Sequence, residues 1–429
     1  MTSSERRLTP VAMQRVAVVA PDWAVHDVLA QVADAGVVEL EQPGGPLAAV
    51  DDVAAVAVRS RDVAAWAGWI PAQAAPALGD RIAPWGGAVV PLPHPRGEQP
   101  PTLLRRADSA FTTLVQTYST VPYADVDPTI FAAVAYVVMF GLMFGDVGHG
   151  LLLLGLGLVA RFGRWRRLRR LRPAAPVVIG AGAAAAAAGA AYGELFGPTG
   201  VVPALWLSPL EDPVRMLVGG LAVGAVLLAV AYAIGTANRV REGGWRYALY
   251  APSGVAGATV FLGLGLLVAG ALADAGWLVA VAVLTSVSGL ALSFAGLYVG
   301  AGRGGSAAVQ AVVELVDLVV RLGSNVVSFA RLAAFGLTHA ALSAVVWSAT
   351  TALWGGSLPA TLAAVVVLVV GNAVAFALEA LVAAVQALRL EYYELFSRVF
   401  DLEGRPFRPW HVPLAAPPVP VPDLQEASS

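Results

Sequence analysis

The stretch Ser328-Phe-Ala-Arg331-Leu-Ala-Ala-Phe-Gly-Leu-Thr-His339 lies in the middle of a long apolar segment, residues 307–353. A guanidinium group stays charged in proteins, and a charge at bilayer depth costs from about 3 to more than 10 kcal/mol. Arg331 is therefore expected to have a function. Other side chains recur with it at steps of three and four residues, the spacing of a single helix face. This stripe contains Asp317, Arg321, Ser324, Ser328, Arg331, Phe335, His339 and Leu342.

The composition indicates a mainly α, polytopic membrane protein. Of the 429 residues, 58% are hydrophobic and only 13% are charged, which is too apolar for an ordinary soluble protein. All 27 basic residues are arginine, so a lysine-containing phosphate-binding loop and a catalytic lysine are both excluded. The absence of cysteine excludes disulfides and thiolate metal sites. We therefore expect a non-catalytic chain with no nucleotide-binding motif, no cofactor and no nucleic-acid partner.

Residues 1–125 differ from the rest of the chain and predict a small cytoplasmic α/β domain. Strands are predicted at 15–20 and 37–41, with a helix at 23–35 between them. Residues 126–403 are predicted to form the transmembrane domain. The Pro-rich segment 404–429 is predicted to be an irregular, exposed cytoplasmic tail.

The apolar segments predict about eight membrane-spanning helices. They cover residues 129–145, 147–161, 174–196, 214–236, 252–273, 276–300, 307–353 and 359–400. The first two segments form either one interrupted span or a hairpin with a turn at Gly145–Gly150. The arginine-rich loop 161–172 should be cytoplasmic by the positive-inside rule. Since the N-terminus is also expected in the cytoplasm, an even number of crossings must precede this loop, which favours the hairpin. Both termini are then cytoplasmic.

The last two apolar segments are too long for upright spans. At 1.5 Å per residue, residues 307–353 would extend about 70 Å, against a hydrocarbon core of about 30 Å, so strong tilt or a break is expected. The short Gly- and Pro-containing turn at 354–359 makes the two segments an antiparallel pair. The second segment carries its own stripe. It contains Asn372, Glu379, Gln386, Arg389 and Tyr393.

Two interpretations of this helix pair are open. The polar groups could line two aqueous half-channels separated by an arginine barrier, with Asp317, His339 and Glu379 as protonatable stations. Alternatively, Glu379 and Arg389 could form ion pairs with Asp317 and Arg321 that only hold the helices together. Arg331 has no acidic residue three or four positions away, which favours the half-channels. The five histidines lack metal-ligand spacing, so no metal site is expected.

Three motifs resemble a known family. They are the Ser328–His339 stretch, Phe-Gly-Leu-Met-Phe-Gly-Asp-Val-Gly-His-Gly-Leu-Leu-Leu at 140–153, and Gln386-Ala-Leu-Arg389-Leu-Glu-Tyr-Tyr followed by Gly404-Arg-Pro-Phe-Arg-Pro409. Together they resemble the membrane-embedded a subunit, or subunit I, of V-type and archaeal-type rotary ATPases.

The resemblance implies a stator subunit that couples transport of protons, or of sodium ions, to rotation. It implies that Arg331 faces the carboxyl groups of a rotating proteolipid ring, with Arg389 as its partner. Half-channel positions would be Asp317, His339 and Glu379, with Ser328 and Gln386 as polar lining. Implied partners are the ring, central and peripheral stalks and an ATP-hydrolysing head. The lysine-free composition suggests a GC-rich prokaryote and its plasma membrane, so membrane lipid is a further partner.

The sequence departs from this family in two ways. Asp317 stands where the family usually has Glu, and Arg321 occupies a position that is usually uncharged. Only about 125 residues precede the membrane part, where the family carries a longer arm with a coiled coil. A secondary transporter and a non-pumping scaffold without stalk attachment remain the alternatives. A transporter usually shows two related halves, which this sequence lacks.

Overall fold

A computed structural model describes residues 10–41, 45–93, 99–104, 115, 120–163, 172–400 and 404–412. The chain divides into two compact units. The soluble unit comprises the described residues of Pro10–Arg105 and Gly404–Ser429, and the helical unit comprises those of Arg106–Glu403. Each unit is described by itself below.

The soluble unit is an antiparallel sheet with helices packed against it. Its strands are β1 (Met13–Pro21), β2 (Glu39–Leu40), β3 (Val58–Ser60), β4 (Val63–Pro71) and β5 (Ala88–Pro91). They are ordered β2-β4-β1-β5, with β3 also paired to β4. Its helices are α1 (Val25–Ala35), α2 (Val50–Ala55) and α3 (Ala75–Ile82). The prediction of a small α/β unit is confirmed, although the predicted second strand forms only at Glu39–Leu40.

The core of the soluble unit follows from residue alternation along β1. Val16, Val18 and Ala20 are fully buried because alternate side chains of a strand point to the same face. They meet Leu29 of α1 and Ile82 of α3, which are also fully buried. The sheet therefore has one face covered by helices.

The described part of the predicted tail, residues 404–412, is irregular as expected, but it is not exposed throughout. Trp410 is 1% exposed in the core of the soluble unit. Its backbone N–H donates to Val38 O at 2.7 Å, and its indole Nε1 donates to Ala48 O at 2.9 Å. Pro406 and Pro409 favour extended backbone, which lets the segment lie along the domain and insert the indole ring. Residues 413–429 lie outside the described part of the chain.

Two glutamates hold this segment and β1 in place. Glu39 accepts a hydrogen bond from the Arg408 backbone N–H at 2.7 Å and pairs with Arg405 at 3.0 Å. Burial raises the pKa of the Glu39 carboxyl. Glu41 accepts two hydrogen bonds from Arg15, at 2.8 and 2.6 Å, and these lower the pKa of Glu41. The Glu39 contacts join the C-terminal segment to the second predicted strand.

The helical unit contains nine long helices in its described residues. They are α4 (Thr129–Met143), α5 (Val147–Phe162), α6 (Ala175–Tyr192), α7 (Pro213–Tyr250), α8 (Val255–Leu272), α9 (Gly276–Gly300), α10 (Gly305–Ser328), α11 (Ala330–Leu353) and α12 (Leu358–Leu390). A π-helix (Glu391–Phe396) and a short helix, α13 (Ser397–Val399), continue from α12. Of these, α6, α7, α8, α9 and the Leu358–Val399 segment are long and apolar enough to cross a bilayer, whereas α4 and α5 are apolar but shorter. The protein is a multi-pass membrane protein.

The predicted turn between residues 145 and 150 is confirmed by the directions of α4 and α5. Along α4, Gly141 approaches Ala184 and Val137 approaches Gly180, so α4 runs parallel to α6. Along α5, Gly150 approaches Ala186 and Gly157 approaches Ile179, so α5 runs antiparallel to α6. The chain thus reverses between the two helices. The predicted cytoplasmic arginines at 164, 166, 167, 169 and 170 lie outside the described residues.

Close backbone approach of α5 to α6 requires glycine at several positions, and Gly150 is the example on α5 with the closest approach. A Cβ atom added to Gly150 would lie 2.3 Å from the backbone N of Ala186, whereas one added to Gly155 on the same helix would meet nothing within 4 Å. We expect Gly150→Ala to destabilise the helical unit by about 1 to 3 kcal/mol, because backbone atoms must move apart. Gly155→Ala is the matched control and should be neutral or stabilising. Thermal unfolding of the purified chain in detergent tests this, and equal midpoints for the two variants would contradict the packing.

The long predicted segment 307–353 is broken into α10 and α11 at Phe329. The Phe329 side chain is fully buried and packs closely on Gly224 of α7. The expectation of a tilt or a break is therefore met by a break. It falls two residues before Arg331.

Candidate functional site

The site is built on the antiparallel pair α11 and α12. Val346 packs on Gly371, and His339 pairs with Glu379. These two contacts set the register of the pair. Arg331 lies eight residues, or about two helical turns, before His339 on α11. Because the helices are antiparallel, it lies opposite a point about two turns after Glu379 on α12, between Gln386 and Arg389.

His339 and Glu379 form a buried pair. His339 is 2% exposed, and its Nδ1 shares a short hydrogen bond with Glu379 Oε2. The other ring nitrogen, Nε2, and the other carboxylate oxygen, Oε1, are buried without a hydrogen-bond partner among the described residues. The structure thus brings together two of the predicted stations, and each keeps one unused polar atom.

Asp317 and Arg321 pair with each other within one helix, at 2.6 Å. Their side chains are 50% and 67% exposed. Neither meets Glu379, which pairs with His339 instead. The alternative, in which Glu379 and Arg389 form ion pairs with Asp317 and Arg321 that only hold the helices together, is therefore not the arrangement observed among the described residues.

Arg331 lies at the start of α11, and its Nη1 is buried without a hydrogen-bond partner among the described residues. Nearby, the Ser328 hydroxyl lies 3.0 Å from Ser324 O and also interacts with the carboxyl group of Glu394. Arg331 and Arg389 both act electrostatically on that same carboxyl group. Arg331, Arg389 and the buried Glu394 therefore interact where α11 meets the end of α12. We call this group of residues the cationic seam.

Glu394 was missed by the sequence analysis, which placed Tyr393 on the functional stripe. The heptad spacing from Gln386 to Tyr393 assumes an unbroken α-helix. Residues 391–396 instead form a π-helix, in which hydrogen bonds run from i to i+5. The wider turn leaves Tyr393 70% exposed and buries Glu394 at 6%. A π-helix leaves no simple periodic pattern in the sequence. The two acidic residues Glu391 and Glu394, three positions apart, were a visible hint that this part of the helix is polar.

The other polar residues predicted on α12 differ in their exposure and in their hydrogen bonds. Arg389 is exposed on α12. Gln386 is half-buried, and its Oε1 has no hydrogen-bond partner among the described residues. Asn372 donates from Nδ2 to Leu368 O at 2.9 Å within its own helix.

A second polar cluster adjoins His339 and comes from the turn before α5. Asp146 caps this helix: its Oδ1 accepts from His149 N at 2.8 Å and its Oδ2 accepts from Gly197 N at 3.1 Å. The His149 ring is fully buried and lies 5.6 Å from the His339 ring, centre to centre. Three phenylalanine rings surround His149. They are Phe144, Phe196 and Phe376. The Gly-rich turn thus reaches the same site as α11.

A buried acid lies where the chain enters the helical unit. Asp125 is fully buried, and burial raises the pKa of its carboxyl group, as does the neighbouring carboxyl group of Glu242. Next to it, Asn238 of α7 accepts from Val126 N at 2.9 Å and donates to Val399 O at 3.1 Å. This amide therefore joins the entry segment, α7 and the end of the last helix. Sequence analysis did not single out these residues.

Known proteins show where this chain has relatives. The sequence profile of the V-type ATPase 116kDa subunit family matches residues 59–165 and 303–412. The chain is 27% identical over 341 residues to the A-type ATP synthase subunit I of Methanocaldococcus jannaschii, covering 70% of this chain and 47% of that protein. It is 28% identical over 348 residues to the same subunit of Aeropyrum pernix, covering 70% and 49%.

A shorter match is more similar. The V-type ATP synthase subunit I 2 of Treponema pallidum is 36% identical over 111 residues, covering 26% of this chain and 23% of that protein. The chain spans about half the length of the archaeal relatives it matches. The second matched part of the profile, residues 303–412, contains α10, α11 and α12.

Proposed function

Because the chain belongs to the V-type ATPase 116kDa subunit family, we propose that it is a stator subunit in the membrane sector of a rotary ATPase. In this proposal α11 and α12 face a rotating proteolipid ring and provide two ion half-channels. Arg331 separates the half-channels. The chain contributes no nucleotide site, so a separate head supplies or uses the ATP.

The observation that carries this proposal is the state of Arg331. Its permanently charged guanidinium interacts with the Glu394 carboxyl group, but its buried Nη1 has no hydrogen-bond partner among the described residues. A buried charged donor without a hydrogen bond is costly, and a second anion at Nη1 would remove that cost. A carboxylate on a passing ring subunit would be that anion. An opposite charge within about 4 to 6 Å favours the ionised form of an acid, so a ring carboxyl group would release its proton beside Arg331.

Protonatable groups lie on both sides of Arg331 along the helices. His339 and Glu379 are about 12 Å from it in one direction, since eight residues rise 1.5 Å each. In the other direction lie Ser328 and then Asp317, 14 positions before Arg331. Two separated polar paths with an arginine between them are the requirement for half-channels. Away from the seam, a ring carboxyl group must be protonated to face lipid.

The membrane topology that fits this proposal has eight crossings and cytoplasmic termini. The α4–α5 hairpin returns the chain to the side of the arginine-rich loop, and single crossings then put the later basic loops on that same side. These loops contain Arg239, Arg241, Arg246, Arg303, Arg405 and Arg408. The membrane would be a prokaryotic plasma membrane, and the ion a proton or a sodium ion.

Copurification tests the proposal against its alternatives. A tagged chain isolated from its native membrane in mild detergent should bring down a proteolipid ring, stalk proteins and an ATP-hydrolysing head. A ring without head or stalks would indicate the non-pumping scaffold instead. Recovery of none of these proteins, under conditions where the chain remains monodisperse, would indicate a secondary transporter and contradict the proposal.

A further inference from the structure

Three potential metal ligands meet beside α11. Asp146, His149 and His339 each offer a ligand atom, and these atoms lie within 4.8 Å of one another. All three residues are buried, with His149 and Asp146 fully so. They come from residues 190 positions apart in sequence, so spacing along the chain could not reveal them.

His149 is the group in this cluster whose ring nitrogens make no hydrogen bond of good geometry. Both nitrogens are buried, and neither is hydrogen-bonded among the described residues, although the Asn372 side chain lies near the ring. Its Nδ1 lies 3.9 Å from Asp146 Oδ1, too far for a hydrogen bond. A buried imidazole with neither nitrogen satisfied is unfavourable, and a metal ion between the two side chains would satisfy it.

His339 is already arranged as a metal-binding histidine. Metal-ligating histidines commonly donate their second ring N–H to a carboxylate, which orients the ring and raises its basicity. His339 Nδ1 contacts Glu379 Oε2, and this leaves Nε2 buried and unpartnered. The His339–Glu379 pair therefore leaves Nε2 available to bind a metal ion. It also supplies the carboxylate on Nδ1 that orients the imidazole ring.

The surrounding charge also favours a cation. The carboxyl groups of Asp146, Glu194 and Glu379 all act electrostatically on His339. Glu379 Oε1 is buried without a hydrogen-bond partner among the described residues and adds negative charge beside the site. Two imidazoles and one carboxylate suit Zn²⁺, which binds such ligands at about 2.0 to 2.2 Å and can hold a water molecule in its fourth position. Mg²⁺ prefers oxygen ligands alone.

We propose that Asp146, His149 and His339 form a binding site for a divalent transition-metal ion of the Zn²⁺ type, and that bound metal blocks the ion path on the His339 side of Arg331. Ligands around Zn²⁺ lie about 3.3 Å apart in a tetrahedral site, so small rotations of the side chains would complete it. The metal would compete with protons for the two imidazoles. The blocking step rests on the proposed function, whereas metal binding does not.

The binding experiment uses the full chain without a polyhistidine tag, treated with chelator and titrated with Zn²⁺ or Mg²⁺. We expect one Zn²⁺ per chain, no competition by Mg²⁺, and X-ray absorption showing two imidazole nitrogens around the metal. His149→Phe keeps the ring packing and should abolish binding, whereas Glu379→Gln should weaken it about 10- to 100-fold. Equal thermal midpoints without metal confirm that both variants fold.

His26→Ala is the matched control, because His26 pairs with Asp51 on the soluble unit and should leave the Zn²⁺ affinity unchanged. Wild-type affinity in His149→Phe, or loss of binding in His26→Ala, would overturn the site.

In vesicles containing the assembled complex, Zn²⁺ should inhibit ATP-driven pumping, and His149→Phe should raise the inhibitory concentration at least 10-fold. Binding without inhibition would overturn the block alone. If the wild-type complex does not pump even in the absence of Zn²⁺, that result counts against the proposed function and not against the metal site.

Discussion

An Arg331→Lys chain is expected to assemble with its partners and yet to pump no ions. Lysine can lose its proton in an apolar site, whereas arginine keeps its charge and its planar set of donors. With a neutral or shorter group at position 331, a ring carboxyl group would not be held ionised, and the barrier between the half-channels would leak. We expect ATP-driven transport to fall by more than about 100-fold, which corresponds to about 2.7 kcal/mol.

Vesicles reconstituted with the intact complex provide the measurement, with an internal pH dye for protons and a sodium-dependence series beside it. Arg215→Lys is the matched control, because Arg215 lies at the start of α7, 74% exposed, in a surface ion pair with Asp212. It should transport normally. Normal transport by Arg331→Lys, in complexes shown to contain the variant chain, would contradict the role assigned to this arginine.

Trp410→Ala is expected to unfold much of the soluble unit. Removing a fully buried aromatic side chain typically costs about 3 to 5 kcal/mol through lost contacts and the remaining cavity. The indole also donates to Ala48 O, and truncation leaves that carbonyl without its partner. The segment at 404–412 is also held by the Glu39 contacts and by backbone hydrogen bonds with Thr102. Loss of the ring should therefore weaken its attachment and loosen the sheet without releasing the segment completely.

Hydrogen–deuterium exchange of the full chain measures this effect on β1 and α1 without cutting the domain from the membrane part. Exchange protection there should drop sharply in Trp410→Ala and only slightly in Trp410→Phe, which keeps a ring but loses the indole N–H. Trp23→Ala is the control, because Trp23 is 75% exposed in the same unit. Unchanged protection in Trp410→Ala would show that the C-terminal segment is only loosely attached.

Where the sequence analysis was right, it used signals that act over short distances. The α4–α5 turn followed from glycine content and from the side on which arginines must lie. Length alone predicted strong tilt or a break within 307–353, since an upright helix of that length could not fit an apolar layer about 30 Å thick. The antiparallel pairing of α11 and α12 followed from a turn too short for any other arrangement.

Where the sequence analysis was incomplete, the missing information was a contact between residues that are distant in sequence. The prolines around Trp410 were interpreted as a sign of exposure, yet they keep the segment straight enough to reach Val38. Glu394 reached the seam because a π-helix shifted the face of the last helix. The histidines showed no metal-ligand spacing because His149 and His339 are 190 positions apart, yet their rings lie 5.6 Å apart, centre to centre.

The sequence alone determined the class of protein and the approximate positions of most of its apolar helices. It could do so because hydropathy and helical periodicity are properties of neighbouring residues. Only the tertiary structure decided that His339 pairs with Glu379, that Glu394 approaches Arg331 and that the C-terminal segment completes the soluble core. Those contacts join residues 40, 63 and 372 positions apart. Packing selects such pairs by shape and burial, which no local pattern of residues records.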